Sequence, residues 1–285
     1  MKSKMKQRKT GLELLKVGSH RLKLAGVNES VREAKKLLAF ALRVDHVNLN
    51  SSIESFVLPE TVKLYLSYIF DRVRRKPISR IIGKRLFFKN EFLINQYVLD
   101  PRPETEALIY HALEEKFFNL LDLGTGSGCI IISLLKENNK AKGVAVDISE
   151  ECLELAESNA KLLKVKNRII FKKSNWFEKI TTKFDLIISN PPYVSIKELP
   201  KLSVDVKKYD PRMALVGGVD GYEAYNVIVG NAHRFLIPDG RLVTEVGIGQ
   251  SGYVSRLFAK CGFVDVKVYK DLSSIDRVVS GRKHS

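Results

Sequence analysis

The feature that most constrains the fold is an alternation of short apolar runs with helix-length amphipathic segments, which begins near residue 105. Such an alternation is typical of a parallel sheet with helices on both faces. We therefore predict an α/β domain at residues 101–285 with a seven-stranded sheet. The predicted strands are 119–123, 143–148, 168–173, 184–189, 241–246, 264–270 and 276–282. The predicted helices lie near 128–137, 150–164, 221–236 and 250–261.

The connection between the last two predicted strands is a short loop. A parallel crossover needs a dozen or more residues, so the final strand should run antiparallel to its neighbour. The expected sheet is therefore mostly parallel, with an antiparallel member at the end of the chain.

The first third of the chain has a different pattern. Apolar residues recur at helical spacing in 11–76, and Val31, Ala34, Leu37 and Leu38 are expected to share one helix face. Pro59 stands at a plausible first turn of another helix. We predict an N-terminal helical domain at residues 1–76. Two β-rich runs within 80–99 flank Lys89-Asn90-Glu91, which predicts a β-hairpin linker at residues 77–100.

The net charge of +16 is concentrated in the same third, because residues 1–89 hold 21 Lys and Arg against 7 Asp and Glu. Two interpretations are open: solvated helix faces, or a docking surface for an acidic partner. The basic first residues lack the apolar stretch of a secretory signal, so a solvated tail is expected over an organellar transit peptide.

No apolar run approaches the roughly 20 residues that cross a bilayer, so no membrane association is expected. The three cysteines are far apart and lack metal-ligand spacing. We expect reduced thiols in a cytoplasmic protein and no metal site.

A glycine-rich turn, LDLGTGSG, joins the first sheet strand to its helix. Glycines there permit a tight turn and let a ligand lie against bare backbone near the helix N-terminus. Asp147 ends the next strand, nineteen residues after the last glycine, where its carboxylate can accept hydrogen bonds from both hydroxyls of a ribose. Cys129 stands where the dinucleotide fingerprint requires glycine, and the loop instead resembles the S-adenosylmethionine loop of class I methyltransferases. The candidate loop residues are Gly124, Thr125, Gly126, Ser127 and Gly128.

Two further segments follow sheet strands and should face the same crevice. Asn175 can hydrogen-bond an adenine base and Trp176 can pack against it, although a lone tryptophan is often a core residue. Asn190-Pro191-Pro192-Tyr193 suits methylation of a planar nitrogen. The asparagine oxygen and the first proline carbonyl can grip two N–H hydrogens, while the tyrosine ring stacks on the planar group.

The ordered motifs PRPETE (101–106), DLGTGSG (122–128), AVDIS (145–149), NWFE (175–178) and SNPPYV (189–194) resemble the glutamine N5-methyltransferases that modify peptide chain release factors, the PrmC/HemK family. YDPRMALVGGVDGYEAY (209–225) and DLSSIDRVVSGR (271–282) extend the resemblance to the C-terminus. The modest departures include Lys89 for a usual glycine, Asp100 for an aliphatic residue, Thr244 for leucine and Asn175 for a frequent aspartate.

The resemblance implies a class I S-adenosylmethionine-dependent methyltransferase with a Rossmann-like sheet, which leaves S-adenosylhomocysteine as product. It implies that the glycine loop, Asp147, Trp176 and Asn190 contact the cofactor, with Asn175 beside them. Asn190, Pro191, Pro192 and Tyr193 would hold the glutamine of a Gly-Gly-Gln tripeptide in a release factor. The helical domain would help dock that protein. We expect a cytoplasmic monomer.

Arg102 and Glu104 are candidates for substrate binding, and the competing interpretation is a structural ion pair. Three alternative functions remain open. One is an N6-adenine-type amino methyltransferase acting on nucleic acid, opposed by PRPETE and by the lack of a nucleic-acid-binding motif. The others are a glutamine methyltransferase acting on a ribosomal protein, and a cofactor-binding protein without catalysis.

Overall fold

The computed structural model describes residues 9–45 and 48–284, and the side chains of residues 51 and 52 are not described. The chain divides into two compact units, Met1–Gly83 and Lys84–Ser285. This division groups the hairpin with the α/β unit. Residues 1–8, with most of the basic N-terminal start, lie outside the described residues, so both interpretations of that segment stay predictions.

The first unit is helical, as predicted. Thr10 caps the first helix through a capping box in which its hydroxyl and the Glu13 carboxylate each accept a backbone N–H. Pro59 occupies the first turn of the fourth helix, as predicted. The helices of this unit are α1 (Gly11–Leu24), α2 (Ser30–Leu42), α3 (Leu49–Ser52), α4 (Pro59–Val73) and α5 (Ile78–Ile82).

Leucine and isoleucine side chains of α1, α2 and α4 form the interior of the helical unit around the fully buried Tyr65. Ala34, Leu37 and Leu38 lie on the buried face of α2, as predicted. The prediction for Val31 is wrong: this side chain is 55% exposed. It lies in the first turn of α2, where the apolar stripe meets solvent.

The hairpin consists of β1 (Lys84–Phe87) and β2 (Asn90–Leu93), paired antiparallel. Its turn is Phe88-Lys89, one residue earlier than predicted, and both residues have positive φ, 39° and 66°. A two-residue turn with both φ positive matches the twist of the flanking strands. Residues 80–82 were predicted as strand but belong to α5, which ends at Gly83 with φ 74°.

The α/β unit follows the predicted alternation closely. The 3₁₀ segment Pro103–Thr105 leads into its first helix. Its helices are α6 (Glu106–Ala112), α7 (Cys129–Glu137), α8 (Glu150–Leu162), α9 (Val204–Tyr209), α10 (Arg212–Leu215), α11 (Glu223–Phe235) and α12 (Ser251–Lys260). Its strands are β3 (Asn119–Leu123), β4 (Lys142–Asp147), β5 (Ile169–Lys173), β6 (Phe184–Ser189), β7 (Leu236–Glu245), β8 (Phe263–Lys270) and β9 (Asp276–Lys283).

Within the described residues these strands form one seven-stranded sheet in the order β5-β4-β3-β6-β7-β9-β8. All pairings are parallel except those of β9, which is antiparallel to β7 and β8, as predicted. The chain leaves β3 toward β4 on one side and returns to β6 on the other. The switch point between β3 and β6 is where ligands bind in open α/β sheets, outside the carboxyl ends of the strands.

Two apolar clusters cover the two faces of the sheet. One contains α6, α7 and the hairpin, and the other contains α11 and α12. Phe92 of β2 is completely buried in the first cluster. Among the described residues, no helix is both long enough and apolar enough to cross a bilayer.

Candidate functional site

A cavity of about 750 Å³ opens at the carboxyl ends of β3, β4, β5 and β6. Its volume is within the range of pockets that bind small molecules and cofactors. It lies at the predicted edge of the sheet. The residues predicted for the site that line it are Arg102, Gly124, Thr125, Gly126, Ser127, Asp147, Asn175, Trp176, Asn190 and Pro192.

The glycine turn folds back on β4. Three of its residues, Gly124, Gly126 and Gly128, have positive φ values of 72°, 54° and 78°. Side chains with a Cβ avoid this conformation, so the alternating glycines permit the turn. The N–H groups of Gly124 and Thr125 both donate to the Val146 carbonyl at 2.9 Å. The loop is therefore attached to the end of β4, beside Asp147.

The Asp147 carboxylate is held by backbone N–H groups. Its Oδ2 accepts from Gly126 at 2.9 Å, and its Oδ1 accepts from Ser149 at 3.0 Å. Burial raises the pKa of Asp147, and these backbone bonds act in the opposite direction. Each carboxylate oxygen has two lone pairs, so capacity for hydroxyl donors remains.

Asp122 lies beneath the loop, completely buried at the end of β3. The Thr125 hydroxyl donates to its Oδ2 at 2.7 Å, which connects the strand to the turn. Burial raises the pKa of Asp122 to about 7, and the nearby Asp147 contributes in the same direction. This carboxyl supports the loop from below and does not line the cavity.

Asn175 and Trp176 follow β5 and both reach the cavity. The Asn175 amide donates to Glu178 Oε1 at 2.9 Å. Trp176 has a φ of 49°, and its backbone carbonyl accepts a hydrogen bond from the Ser174 hydroxyl at 2.9 Å. A bulky residue with positive φ is strained and marks a position where function is a reasonable hypothesis.

Asn190 follows β6, where Leu186-Ile187-Ile188 is fully buried and the two prolines end the ladder. Its side-chain Nδ2 donates to the Thr105 hydroxyl at 3.2 Å. Pro191 is buried and Pro192 is half-buried. The Tyr193 carbonyl accepts from Gln250 Nε2 at 3.0 Å, which links this segment to the start of α12. Burial raises the pKa of Tyr193 to about 12.

Four predicted site residues do not line the cavity. Gly128 lies under the loop, where an added Cβ would lie 2.9 Å from Ile132 and 3.1 Å from Ala156, so its small size serves packing. Pro191 is buried, Tyr193 is half-buried and Glu104 is exposed, and none of the three is among the residues that line the cavity.

Arg102 is engaged in an ion pair. Its guanidinium donates to the Asp210 carboxylate, whose side chain is 2% exposed. This observation favours the structural interpretation of Arg102, since the pair joins the segment before α6 to the segment before α10. Both ends of that link are beside the cavity, because Arg102 and Pro211 line it.

Sequence reasoning missed several lining residues. Ile148 directly follows Asp147, so its position at a strand end was available from the sequence. Thr105 lies within the PRPETE segment, where no local pattern distinguishes it from its neighbours. Tyr97 and Met213 are exposed apolar residues from distant segments, and no local pattern identifies them.

The sheet order, the glycine turn and the crevice at the switch point define a class I methyltransferase. Residues 100–205 match the family model described as methyltransferase small domain, and residues 13–83 match the PrmC N-terminal domain. A methyltransferase structure from Pyrococcus furiosus has the same fold, with a TM-score of 0.50 and 18% identity over 66% of this chain and 85% of that one.

Two curated relatives cover nearly the whole chain. The release factor glutamine methyltransferase of Cereibacter sphaeroides is 40% identical over 270 residues, which are 95% of this chain and 97% of the relative. The protein of the same name from Caulobacter vibrioides is 37% identical over 269 residues, 93% of each chain. The chain belongs to the release factor glutamine methyltransferase family.

Proposed function

We propose that this protein transfers a methyl group from S-adenosylmethionine to the side-chain amide nitrogen of the glutamine in the Gly-Gly-Gln motif of peptide chain release factors. One observation carries the proposal: the glycine turn and its strand-end carboxylate line the same cavity as Asn190 and Pro192 of the Asn-Pro-Pro-Tyr segment. The first feature suits a nucleoside cofactor and the second suits a planar amide. Family membership supports the choice of substrate.

The cavity fits the cofactor on geometric grounds. A Cβ added at Gly126 would have no neighbour within 4 Å, so the backbone there borders open space that a ligand can fill. Each oxygen of the Asp147 carboxylate accepts one backbone N–H and has a further lone pair available for a ribose hydroxyl. Asn175 and Trp176 would receive the adenine base. When bound, S-adenosylmethionine supplies an electrophilic methyl group.

The residues of the chain then have distinct tasks. The Asn190 side-chain oxygen and the Pro191 carbonyl accept the two N–H bonds of the target amide and fix its plane. Both acceptors favour the positive charge that develops on nitrogen. Pro192 restricts the backbone that carries the Pro191 carbonyl. The Tyr193 ring stacks on the planar amide of the target glutamine. The methylated nitrogen releases one proton to water, so no strong base is required.

The helical unit supplies the docking region in this proposal. Its support is the charge of residues 1–89, 21 basic against 7 acidic residues, and the match to the PrmC N-terminal domain. Charge-assisted docking weakens as salt screens it. We expect the KM for an intact release factor to rise at least about threefold between low and high salt, measured by steady-state kinetics. A short Gly-Gly-Gln peptide should show no such rise, and equal salt responses would contradict the docking role.

Peptide-level mass spectrometry tests the substrate. The protein and S-adenosylmethionine are incubated separately with a release factor, a ribosomal protein pool and a ribosomal RNA pool. We expect one added methyl group on the Gly-Gly-Gln glutamine and none when that glutamine is replaced by alanine. Methyl transfer confined to RNA or to a ribosomal protein would overturn the proposal.

A further inference from the structure

Two buried polar residues from distant parts of the chain lie beside Asn190. Thr105, from the segment before α6, is 2% exposed, and Glu245, the last residue of β7, is 1% exposed. Burying a carboxyl group is costly unless it is hydrogen-bonded, so this position calls for an explanation. Neither residue belongs to the cofactor or substrate contacts proposed above.

The sheet brings Glu245 beside Asn190. Ser189 of β6 pairs in parallel register with Thr244 of β7, and the two residues that follow are Asn190 and Glu245. Thr105 lies between them: its hydroxyl accepts from Asn190 Nδ2 at 3.2 Å, and burial raises the pKa of the Glu245 carboxyl while hydrogen bonding from Thr105 opposes that rise. The second carboxyl oxygen, Glu245 Oε2, is buried without a hydrogen-bond partner among residues 9–45 and 48–284.

The direction of this chain of hydrogen bonds decides which way the asparagine amide points. A threonine hydroxyl has one proton. When that proton points at the Glu245 carboxylate, a lone pair of the oxygen faces Asn190 and selects the NH₂ group. The amide is planar, so its oxygen is then turned away from Thr105 and is available to a ligand in the cavity.

We infer that Thr105 and Glu245 are positioning residues that orient the Asn190 amide with its oxygen toward the target nitrogen. The inference rests on the proposed function for its catalytic consequence. The orientation itself is a property of the protein alone. It also assigns a role to the threonine of PRPETE, where the neighbouring Arg102 is engaged with Asp210.

Protonation of Glu245 permits the hydrogen bonds to run in the opposite direction. A carboxylic acid can donate its proton to the Thr105 oxygen. The Thr105 hydroxyl then donates to the Asn190 side-chain oxygen, which turns that oxygen away from the target amide. Burial raises the pKa of Glu245 to about 7. The protonated form gains population as pH falls through that value, so turnover should fall on the acidic side. The titratable and charged groups that face Glu245 are Arg277 of β9, Arg102 and Glu104 of the segment before α6, Tyr193, Cys129 of α7 and Tyr225 of α11.

The test compares Thr105→Val, which keeps the shape and removes the hydroxyl, with Thr105→Ser, which keeps the hydroxyl. We expect kcat to fall by about 10- to 100-fold in Thr105→Val, with the KM for S-adenosylmethionine within about threefold of the original. Thr105→Ser should restore most of the rate. Equal kcat in the original and Thr105→Val proteins, or equal losses in both variants, would overturn the inference.

A second measurement does not depend on turnover. The side-chain amide protons of Asn190 are identified in NMR spectra by their absence in Asn190→Asp. We expect them to shift in Thr105→Val and to stay in place in Thr105→Ser, and unchanged signals in both variants would contradict the relay. If the original protein methylates no release factor, the proposed function fails while this readout still decides the orientation.

Glu245→Gln provides the pH control. It should remove the acidic decline of kcat near pH 7 while the decline persists in the original protein. An identical pH profile in both proteins would show that Glu245 does not set the direction of the hydrogen bonds.

Discussion

Asp147 and Asn190 occupy equivalent places, each at the carboxyl end of a parallel strand and each lining the cavity, yet they are held differently. Asp147 accepts two backbone N–H groups, from Gly126 and Ser149. Asn190 depends on a side chain 85 positions away, that of Thr105. Backbone donors persist whatever side chains surround them. A side-chain partner can be lost by one substitution. The orientation of the Asn190 amide is therefore more sensitive to substitution than that of the Asp147 carboxylate.

The largest expected effect comes from Asn190→Ala. Loss of one positioned hydrogen-bonding group in a reacting site costs about 100- to 1,000-fold in kcat. We expect a fall of that size in methyl transfer under single-turnover conditions, with the dissociation constant for S-adenosylmethionine, measured by calorimetry, within about threefold of the original. Asn231→Ala on α11 serves as control, because the Asn231 amide donates to the Val227 carbonyl of its own helix and does not line the cavity. Equal losses of cofactor affinity and of methyl-transfer rate would contradict the assignment of cofactor binding to Asp147 and of target positioning to Asn190.

The opposite pattern is expected for Asp147→Ala. Hydrogen bonds to a charged group contribute about 1.5–3 kcal/mol, so losing the ribose acceptor should weaken cofactor binding by about 10- to 100-fold. The kcat at saturating cofactor should change little. Asp185→Ala is a matched control, because the Asp185 carboxylate also accepts two backbone N–H groups, from Phe118 and Asn119, but lies at the amino end of β6. If both variants weaken binding equally, Asp147 has no direct role.

A smaller effect is expected for Gly126→Ala. An alanine at φ 54° costs about 1–2 kcal/mol of backbone strain, and its methyl group would enter the space assigned to the cofactor. We expect about tenfold weaker cofactor binding, measured by calorimetry. Gly83→Ala separates the two causes, because Gly83 has φ 74° and equally open surroundings but does not line the cavity. The Gly83→Ala protein should lose a similar free energy of unfolding and should keep its affinity for S-adenosylmethionine.

The smallest effect on methyl transfer is expected for Asp122, which supports the loop from below and acts on stability instead. Burial raises the pKa of Asp122 to about 7, above its value in an unfolded chain, so the folded state binds this proton more tightly. That contribution to stability is full below about pH 4 and is lost as pH rises through about 7. As pH rises from about 4 to about 7, the free energy of unfolding of the original protein should therefore fall relative to that of Asp122→Asn, by at most about 1.4 kcal/mol per pH unit. A constant difference in denaturant titrations would contradict the raised pKa.

Much of the fold was predictable because its signals are local. The period-2 and helical patterns located the seven strands and the four long helices of the α/β unit within two residues, except that β7 begins at Leu236, five residues before its predicted start. The short loop before β9 correctly predicted its antiparallel pairing. The short helices α9 and α10 were not predicted, since four to six residues carry too little periodicity.

The hairpin shows where local signals fail. Its turn, Phe88-Lys89, contains neither glycine nor asparagine at the two positions with positive φ. Long-range contacts compensate: the Phe88 N–H donates to Glu106 at 3.1 Å, its ring packs against Tyr110, and Lys89 pairs with Glu137. These partners come from α6 and α7, so no rule for turn residues could have predicted the turn's position.

The sequence by itself determined the sheet, the glycine turn, the strand-end carboxylate and the Asn-Pro-Pro exit, because each follows from residue types within a few positions. Tertiary structure alone decided which partners those groups meet. The Arg102–Asp210 pair and the contact of Thr105 with Asn190 join residues far apart in the chain. The carboxyl ends of the parallel strands meet at one edge of the sheet, which brings residues that are far apart in the chain close together. The side chains that meet there are chosen by register and packing, which a linear pattern does not specify.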